Sequence, residues 1–213
     1  MLEAERRKMV DEQIIARGVS HSEVISAMLE TPRHEFVPGM SRAEAYEDHP
    51  LPIGFGQTIS QPYIVALMLE LSEPSIHKRL LEVGSGCGYL LAVASKLFHD
   101  VVGIERIEGL CHNSLATLTK LKIRNAHVVC GDGYEGSAQF QPYGSIIVSC
   151  CCSRPPQPLL DQLAPGGVLV APVGDLFLQE LVIIRREEDG RYITTSGGGV
   201  RFVPLVSPHE NDD

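Results

Sequence analysis

Apolar positions change rhythm about eighty residues into the chain. Upstream, Val24, Ile25, Met28 and Leu29 recur at helical spacing behind Ser20-x-x-Glu23, which has the form of a capping box. Thr31-Pro32 should end that helix, because a residue before proline avoids the helical region. From 32 to about 62 no period is visible. So long a stretch is uncommon inside a compact domain and reads equally as a functional segment or a surface connection. Beyond it, short branched apolar runs at 80–83, 101–104, 127–130, 145–149 and 168–172 alternate with helical spacing at 89–98, 108–121 and 157–163. That order predicts a parallel sheet with helices on both faces. The runs 181–185 and 191–195 flank Glu188-Asp189-Gly190 and predict an antiparallel hairpin. Arg185 to Asp189 is then most simply a solvated hairpin tip. The expected fold is α/β and Rossmann-like: a doubly wound, mostly parallel sheet with a C-terminal antiparallel hairpin and a helical N-terminal extension.

Composition narrows the class. With 213 residues, 44% of them hydrophobic and 21% charged, the chain suits one domain, 1–213, that needs no metal or disulfide staple. Eighteen basic residues against 27 acidic ones give a net charge of −9, and the longest basic run is Arg6-Arg7-Lys8. Nucleic-acid binders depend on the opposite sign, so a nucleic-acid partner is not expected. No stretch approaches the ~20 apolar residues that span a bilayer, and the first residues carry no apolar signal core. The expectation is a cytoplasmic monomer with no membrane partner. The six cysteines include no Cys-x-x-Cys pair and read as reduced thiols packed as small hydrophobes. The histidines are scattered without metal-ligand spacing, so no metal is expected.

The candidate chemistry starts at Glu82-Val83-Gly84-Ser85-Gly86-Cys87-Gly88, between a predicted strand and a predicted helix. Glycines there permit a tight turn and close backbone approach by a ligand, and the following helix offers oriented N–H groups. A dinucleotide fingerprint would put its third glycine at position 89, where Tyr89 stands. Glu-x-Gly-x-Gly-x-Gly instead resembles the first motif of the seven-strand S-adenosylmethionine-dependent methyltransferases. Glu105 closes the next predicted strand, where a carboxylate can accept from both ribose hydroxyls. Asp132 and Gly133 follow the third strand, and the resemblance implies that Asp132 faces the adenine. The implied cofactor is S-adenosyl-L-methionine, held by Glu82, Gly84, Gly86, Gly88, Glu105, Asp132 and Gly133.

The acceptor is suggested upstream. Thr31 to Pro38, Ala45-Tyr46-Glu47-Asp48, and Leu51 to Pro62 with its core Gly56-Gln57-Thr58-Ile59-Ser60-Gln61-Pro62 resemble the protein-L-isoaspartate O-methyltransferase family. Val200-Arg201-Phe202-Val203-Pro204-Leu205 is similar to its closing strand. The resemblance implies methylation of the free α-carboxylate of isoaspartyl residues in damaged proteins and peptides, which begins repair through a succinimide. It also divides the chain into a substrate-recognition segment, 1–79, and a cofactor-binding core, 80–213. Ser60 is implied as the residue that holds the acceptor carboxylate, with Thr58 and Ile59 lining the methyl region. Ser60 also suits a helix cap before the apolar run from Ile64. Cys150 to Cys152 stand where the family more often has small residues and read as fillers beside the cofactor. Three departures accompany the match: Gly144 where Asp is usual before the fourth strand, Val206 where a polar residue is frequent, and an early end at Asn211-Asp212-Asp213. Two rivals stay open, a methyltransferase for another carboxylate or small molecule and a non-catalytic cofactor-binding module.

Overall fold

The computed structural model describes residues 2–37, 39, 43–175 and 177–207, so Pro38 and the Asn211–Asp213 end lie outside the described residues. Helix α1 (Leu2–Met9) runs on through a π turn (Val10–Ile14) and a 3-10 turn (Ile15–Arg17), and Gly18 at φ 99° ends the rod. Helix α2 (Ser22–Glu30) buries Val24, Ala27 and Met28 and stops at Thr31, whose hydroxyl donates to Ala27 O (2.8 Å). The expected capping box does not form. Ser20 N–H and its hydroxyl donate to the Glu70 carboxylate, and Glu23 accepts from Ser22. A tertiary acceptor on a neighbouring helix has displaced the local one.

The aperiodic segment contains more order than its pattern predicts. It holds two 3-10 turns (Arg33–Phe36 and Glu44–Tyr46) and an antiparallel ribbon, β1 (Leu51–Gly54) with β2 (Gln57–Ile59). The ribbon's turn, Gly54-Phe55-Gly56, is left-handed at all three residues, which two glycines make inexpensive. Helix α3 (Pro62–Leu71) follows, with proline at its first position.

The main sheet contains β3 (Arg79–Val83), β4 (Asp100–Glu105), β5 (Ala126–Cys130), β6 (Tyr143–Val148), β7 (Leu163–Gly174), β8 (Gln179–Arg186) and β9 (Tyr192–Val200). Their spatial order is β5-β4-β3-β6-β7-β8-β9, parallel through β7 and antiparallel thereafter. The fold class is as expected. Helices α4 (Tyr89–Ala94), α5 (Glu108–Lys120) and α6 (Gln157–Asp161) fill the crossovers. Alternate strand residues feed two cores. Leu80, Val101 and Ile147 join α1 to α5 on one face, while Leu81, Val102 and Ile146 join Leu159 of α6 on the other. The chain moves outward from β3 through β4 to β5, then returns to β6 on the other side. That reversal opens a crevice at the carboxyl ends of the central strands.

Three further expectations are corrected. Arg185 and Arg186 belong to β8, where Arg185 pairs with Glu73 and Arg186 donates to Leu163 O; the hairpin turn runs from Glu187 to Arg191. Cys111 of α5 and Cys130 of β5 form a disulfide with Cα atoms 6.0 Å apart, which their separation of 19 residues does not announce. Gly144 lies within β6, and a Cβ there would meet the Lys78 stem at 2.6 Å, so a lysine side chain fills the space of the usual aspartate.

Gly103 sets how closely α4 can sit on the sheet. A Cβ at this position would meet Leu91 Cδ1 at 2.5 Å and Ser85 Cβ at 2.8 Å. Gly103→Val should therefore cost roughly 1–3 kcal/mol by overpacking, read as a lower urea midpoint at unchanged m-value.

Candidate active site

The glycine turn leaves β3 with Gly84, Gly86 and Gly88 all at positive φ (77°, 52° and 81°). Gly84 N–H and Ser85 N–H both donate to Ile104 O, at 2.8 and 3.1 Å, which draws the turn against β4. Glu105 completes the clamp: Oε2 accepts from Gly86 N–H and Oε1 from Ile107 N–H, each at 2.9 Å. The result is a cleft of about 620 Å³ lined by Thr58, Gly84, Gly86, Glu105 and Gly133 among others. Five residues expected at a cofactor therefore share one cleft.

The remaining expected residues are placed differently. Glu82 and Ile59 line a smaller cavity that adjoins the cleft through Thr58, Gly84, Gly86 and Ser149. Asp132 accepts from Tyr134 N–H (3.0 Å) and the Ser207 hydroxyl (2.7 Å), tying the C-terminal stretch to the end of β5. Gly88 lines neither space; a Cβ there would meet Ser114 Cβ at 3.1 Å, so it lets α5 pass close to the start of α4. Cys150 lines the cleft from its buried position, as a filler should. Among the described residues there is no cluster of metal-ligating side chains.

Sequence reasoning missed Arg106, Ile107 and the run Val203 to Val206, which also line the cleft. An apolar residue just beyond the Glu105 strand end is a signal for the first two. The C-terminal run reaches the cleft through long-range contacts: Cys151 pairs with Pro204, and Arg106 donates to Val206 O (2.9 Å). Val206 thus presents its carbonyl where the family often presents a polar side chain.

Ser60 stands where the small cavity meets a second, larger groove. It does not cap α3: the cap position is Gln61 and no side chain bonds the helix end. Its hydroxyl makes no hydrogen bond to another described residue, leaving it available to a ligand. Its carbonyl is held by Arg33 Nη2 at 2.8 Å, while Arg33 Nε holds Ala45 O at 2.8 Å. Arg33 is fully buried, its guanidinium 5.0 Å from the Tyr89 ring centroid, and no carboxylate among the described residues pairs with it. Its Nη1 has no hydrogen-bond partner among the described residues. Burial lowers its pKa from the usual arginine range, and the nearby Tyr89 and Cys87 oppose that shift. This residue too was missed, because an arginine before histidine in a 3-10 turn carries no pattern of burial.

Glu82 is 2% exposed; one oxygen accepts from the Ser149 hydroxyl (2.8 Å) and the other, Oε2, has no hydrogen-bond partner among the described residues. Burial pushes its pKa up to about 8, the Ser149 hydrogen bond opposing and the nearby Glu105 charge adding to the rise. An unsatisfied buried carboxyl oxygen in a cavity suits a ligand that carries a cationic donor. Cys87 is pushed up to about 11 by burial, too high for a thiolate nucleophile at neutral pH.

The strand order, the glycine turn and the acids at the ends of adjacent parallel strands define a seven-stranded α/β methyltransferase. Residues 4–210 match the sequence profile of the protein-L-isoaspartate(D-aspartate) O-methyltransferase family. A Pelotomaculum thermopropionicum protein-L-isoaspartate O-methyltransferase is 51% identical over 202 residues, spanning 95% of this chain and 88% of its own. The Methanospirillum hungatei enzyme of that name is 48% identical over 202 residues, covering 95% and 93%. Among solved structures, a protein-L-isoaspartate O-methyltransferase superposes with a TM-score of 0.85 at 29% identity, over 95% of this chain and 66% of that one. A Plasmodium falciparum structure assigned to the same enzyme type, in complex with S-adenosyl-L-homocysteine, gives 0.82 at 27% identity over 94% and 98%. This chain belongs to the protein-L-isoaspartate(D-aspartate) O-methyltransferase family.

Two outcomes test the local physics. Arg33→Met removes two hydrogen bonds from a charged donor, each worth roughly 1.5–3 kcal/mol, but also removes an unpaired buried charge. Melting temperature should fall modestly, while turnover falls tenfold or more as Ser60 loses its anchor; full turnover would show that the anchor is dispensable. For Glu82, a carboxyl pKa raised on folding means that the folded state binds more protons than the unfolded state between about pH 4.5 and 8. Stability of the ligand-free protein should therefore fall as pH rises through that window. Thermal melts at pH 6 and 8.5 should show a smaller drop for Glu82→Gln than for the parent.

Proposed function

We infer that this protein transfers the methyl group of S-adenosyl-L-methionine to the free α-carboxylate of L-isoaspartyl residues in proteins and peptides. The observation that carries the acceptor side is the placement of Ser60. Its unengaged hydroxyl lies where the cavity beside the glycine turn opens into the second groove. Membership of the family supplies the substrate class.

The donor set fits the cofactor. The unpartnered Oε2 of Glu82 suits its ammonium group, and the Glu105 oxygens, each already accepting one N–H, keep lone pairs for ribose hydroxyls. Asp132, already holding Tyr134 N–H and Ser207, retains acceptor capacity toward an adenine amino group. Gly84, Gly86 and Gly133 leave backbone accessible along the cleft wall, and Thr58 and Ile59 bound the space between cofactor and acceptor. Bound S-adenosylmethionine supplies a methyl group on a cationic sulfur.

The acceptor needs no base, because a carboxylate with an ordinary pKa near ~4 is ionised at neutral pH. Ser60 donates its hydroxyl proton to that carboxylate and fixes its direction. Arg33 keeps Ser60 in place through the carbonyl, and Ile53, Ile59 and Val203 keep the surroundings apolar. Catalysis is then chiefly alignment and exclusion of water. A charged cofactor that does not cross membranes unaided supports a cytoplasmic location. Among the described residues no helix is long and apolar enough to span a membrane.

The test offers labelled S-adenosylmethionine with two peptides that differ only in aspartyl or isoaspartyl linkage. Base-labile methyl ester should form on the isoaspartyl peptide alone; equal labelling of both, or of neither, rejects the reading. Ser60→Ala should lower turnover by about 10²-fold while cofactor affinity stays within about twofold.

A further inference from the structure

One pair of reactive side chains beside the cofactor cleft has no part in methyl transfer. Cys111 lies in α5 and is 2% exposed, whereas Cys130 ends the edge strand β5 and is exposed. The other four cysteines are buried. The Cα atoms of Cys111 and Cys130 stand 6.0 Å apart, well within the reach of a disulfide. In the cytoplasmic location proposed above, small thiols open a disulfide with one exposed half, so this one is a reversible bond rather than a permanent staple.

Both states of the pair have a place in the structure. As a thiol, Cys111 donates to Glu105 O, which lies 3.1 Å from its Sγ. As a disulfide it has no proton to give, and Glu105 O keeps Gly131 N–H at 2.9 Å. One backbone geometry therefore serves the dithiol and the disulfide alike.

The bond also joins two parts of the cofactor cleft. One helical turn before Cys111, Ile107 lines the cleft and gives its N–H to Glu105 Oε1. Shortly after Cys130, Gly133 lines the same cleft beside Asp132. Glu105, whose carboxylate holds the glycine turn, is the partner of Cys130 in the parallel ladder. A cross-link at this point removes freedom that the cleft walls otherwise lose when the cofactor binds.

We propose that Cys130 and Cys111 form a thiol–disulfide switch, operated by small disulfides of the glutathione class, that tightens the cofactor cleft when oxidised. The exposed Cys130 thiolate attacks one sulfur of the small disulfide, forming a mixed disulfide as the old S–S bond breaks and one small thiolate leaves. Cys111 then attacks Cys130 Sγ, closes the internal bond and expels the second small thiolate. The two protein thiol protons end on the two departing thiols, and the two electrons the protein gives up reduce the small disulfide. Excess small thiol runs the sequence backwards.

The experiment equilibrates the whole protein with reduced or oxidised glutathione, removes the reagent, and measures S-adenosyl-L-homocysteine binding by calorimetry. Alkylation of the denatured protein should count all six cysteines as thiols after reduction. Oxidation should remove two of them and link residues 111 and 130 in the peptide mass spectrum. The oxidised protein should bind S-adenosyl-L-homocysteine about tenfold more tightly and melt roughly 5 °C higher. Cys130→Ser, at an exposed position, should fold and bind like the reduced parent under both conditions. Cys111→Ser, whose hydroxyl replaces the thiol donor to Glu105 O, should do the same. Equal affinity in the two states, even with a higher melting temperature, marks a structural staple and overturns the switch. So does an oxidised protein that keeps all its thiols, a different linked pair, or a redox response that survives in Cys130→Ser. Methyl ester formation on isoaspartyl peptides is scored separately, so each of these outcomes leaves that reading intact.

Discussion

The Glu105 carboxylate holds two backbone N–H groups, and the cleft depends on that grip. A turn with three residues in the left-handed region is an expensive conformation unless the surroundings over-determine it. Glycine removes the steric cost, but something must still select one geometry among the many that glycine allows. Ile104 O takes the first two N–H groups of the turn, and Glu105 takes Gly86 N–H from the adjacent strand end. The same carboxylate accepts Ile107 N–H, so the exit from β4 and the exit from β3 are fixed by one side chain. The parallel pairing of β3 with β4, Val83 opposite Ile104, puts Glu105 within reach.

The acceptor side is fixed by a different kind of contact. Ser60 sits at the end of a short ribbon that has no strong element of its own. The rigid reference is Arg33, planted in the core by Nε to Ala45 O and Nη2 to Ser60 O. A fully buried guanidinium without a carboxylate is costly. Here two carbonyls and the Tyr89 face carry part of that cost, and the charge left over favours an anion nearby. The N-terminal segment and the sheet share one apolar core, so the serine is registered against the glycine turn by packing that spans the whole chain.

Much of this was legible in the sequence, and what was not has physical causes. Most of the parallel strands read clearly because they are buried on both faces, the half-buried edge strand β5 being the exception, and the acids at 82 and 105 followed from where those strands end. The ribbon of β1 and β2 was invisible: strands of four and three residues show no periodicity, and their turn depends on Gly54 and Gly56 around Phe55. The capping box at Ser20 failed because Glu70, fifty residues away, offers a better acceptor. Arg33, Val203 to Val206 and the Cys111–Cys130 pair are consequences of tertiary approach, which local pattern does not encode. Whether Ser60 caps α3 could be decided only by seeing that the start of α3 takes no side-chain bond.

The charges of the two sides are arranged to suit a reaction that consumes charge. In the proposed reaction Glu82 and Glu105 serve the cofactor side and Arg33 stands behind the acceptor side, with Ser60 between them. Methylation turns an anionic carboxylate into a neutral ester, so the acceptor carries less charge at the end than at the start. Water stabilises the starting anion more than the product. An apolar boundary of Ile53, Ile59 and Val203 therefore lowers the barrier by withholding that solvation. A neutral ester also accepts a weaker hydrogen bond from a hydroxyl such as that of Ser60 than the carboxylate that it replaces. On the proposed reading, this loss of charge by itself favours release of the methylated chain.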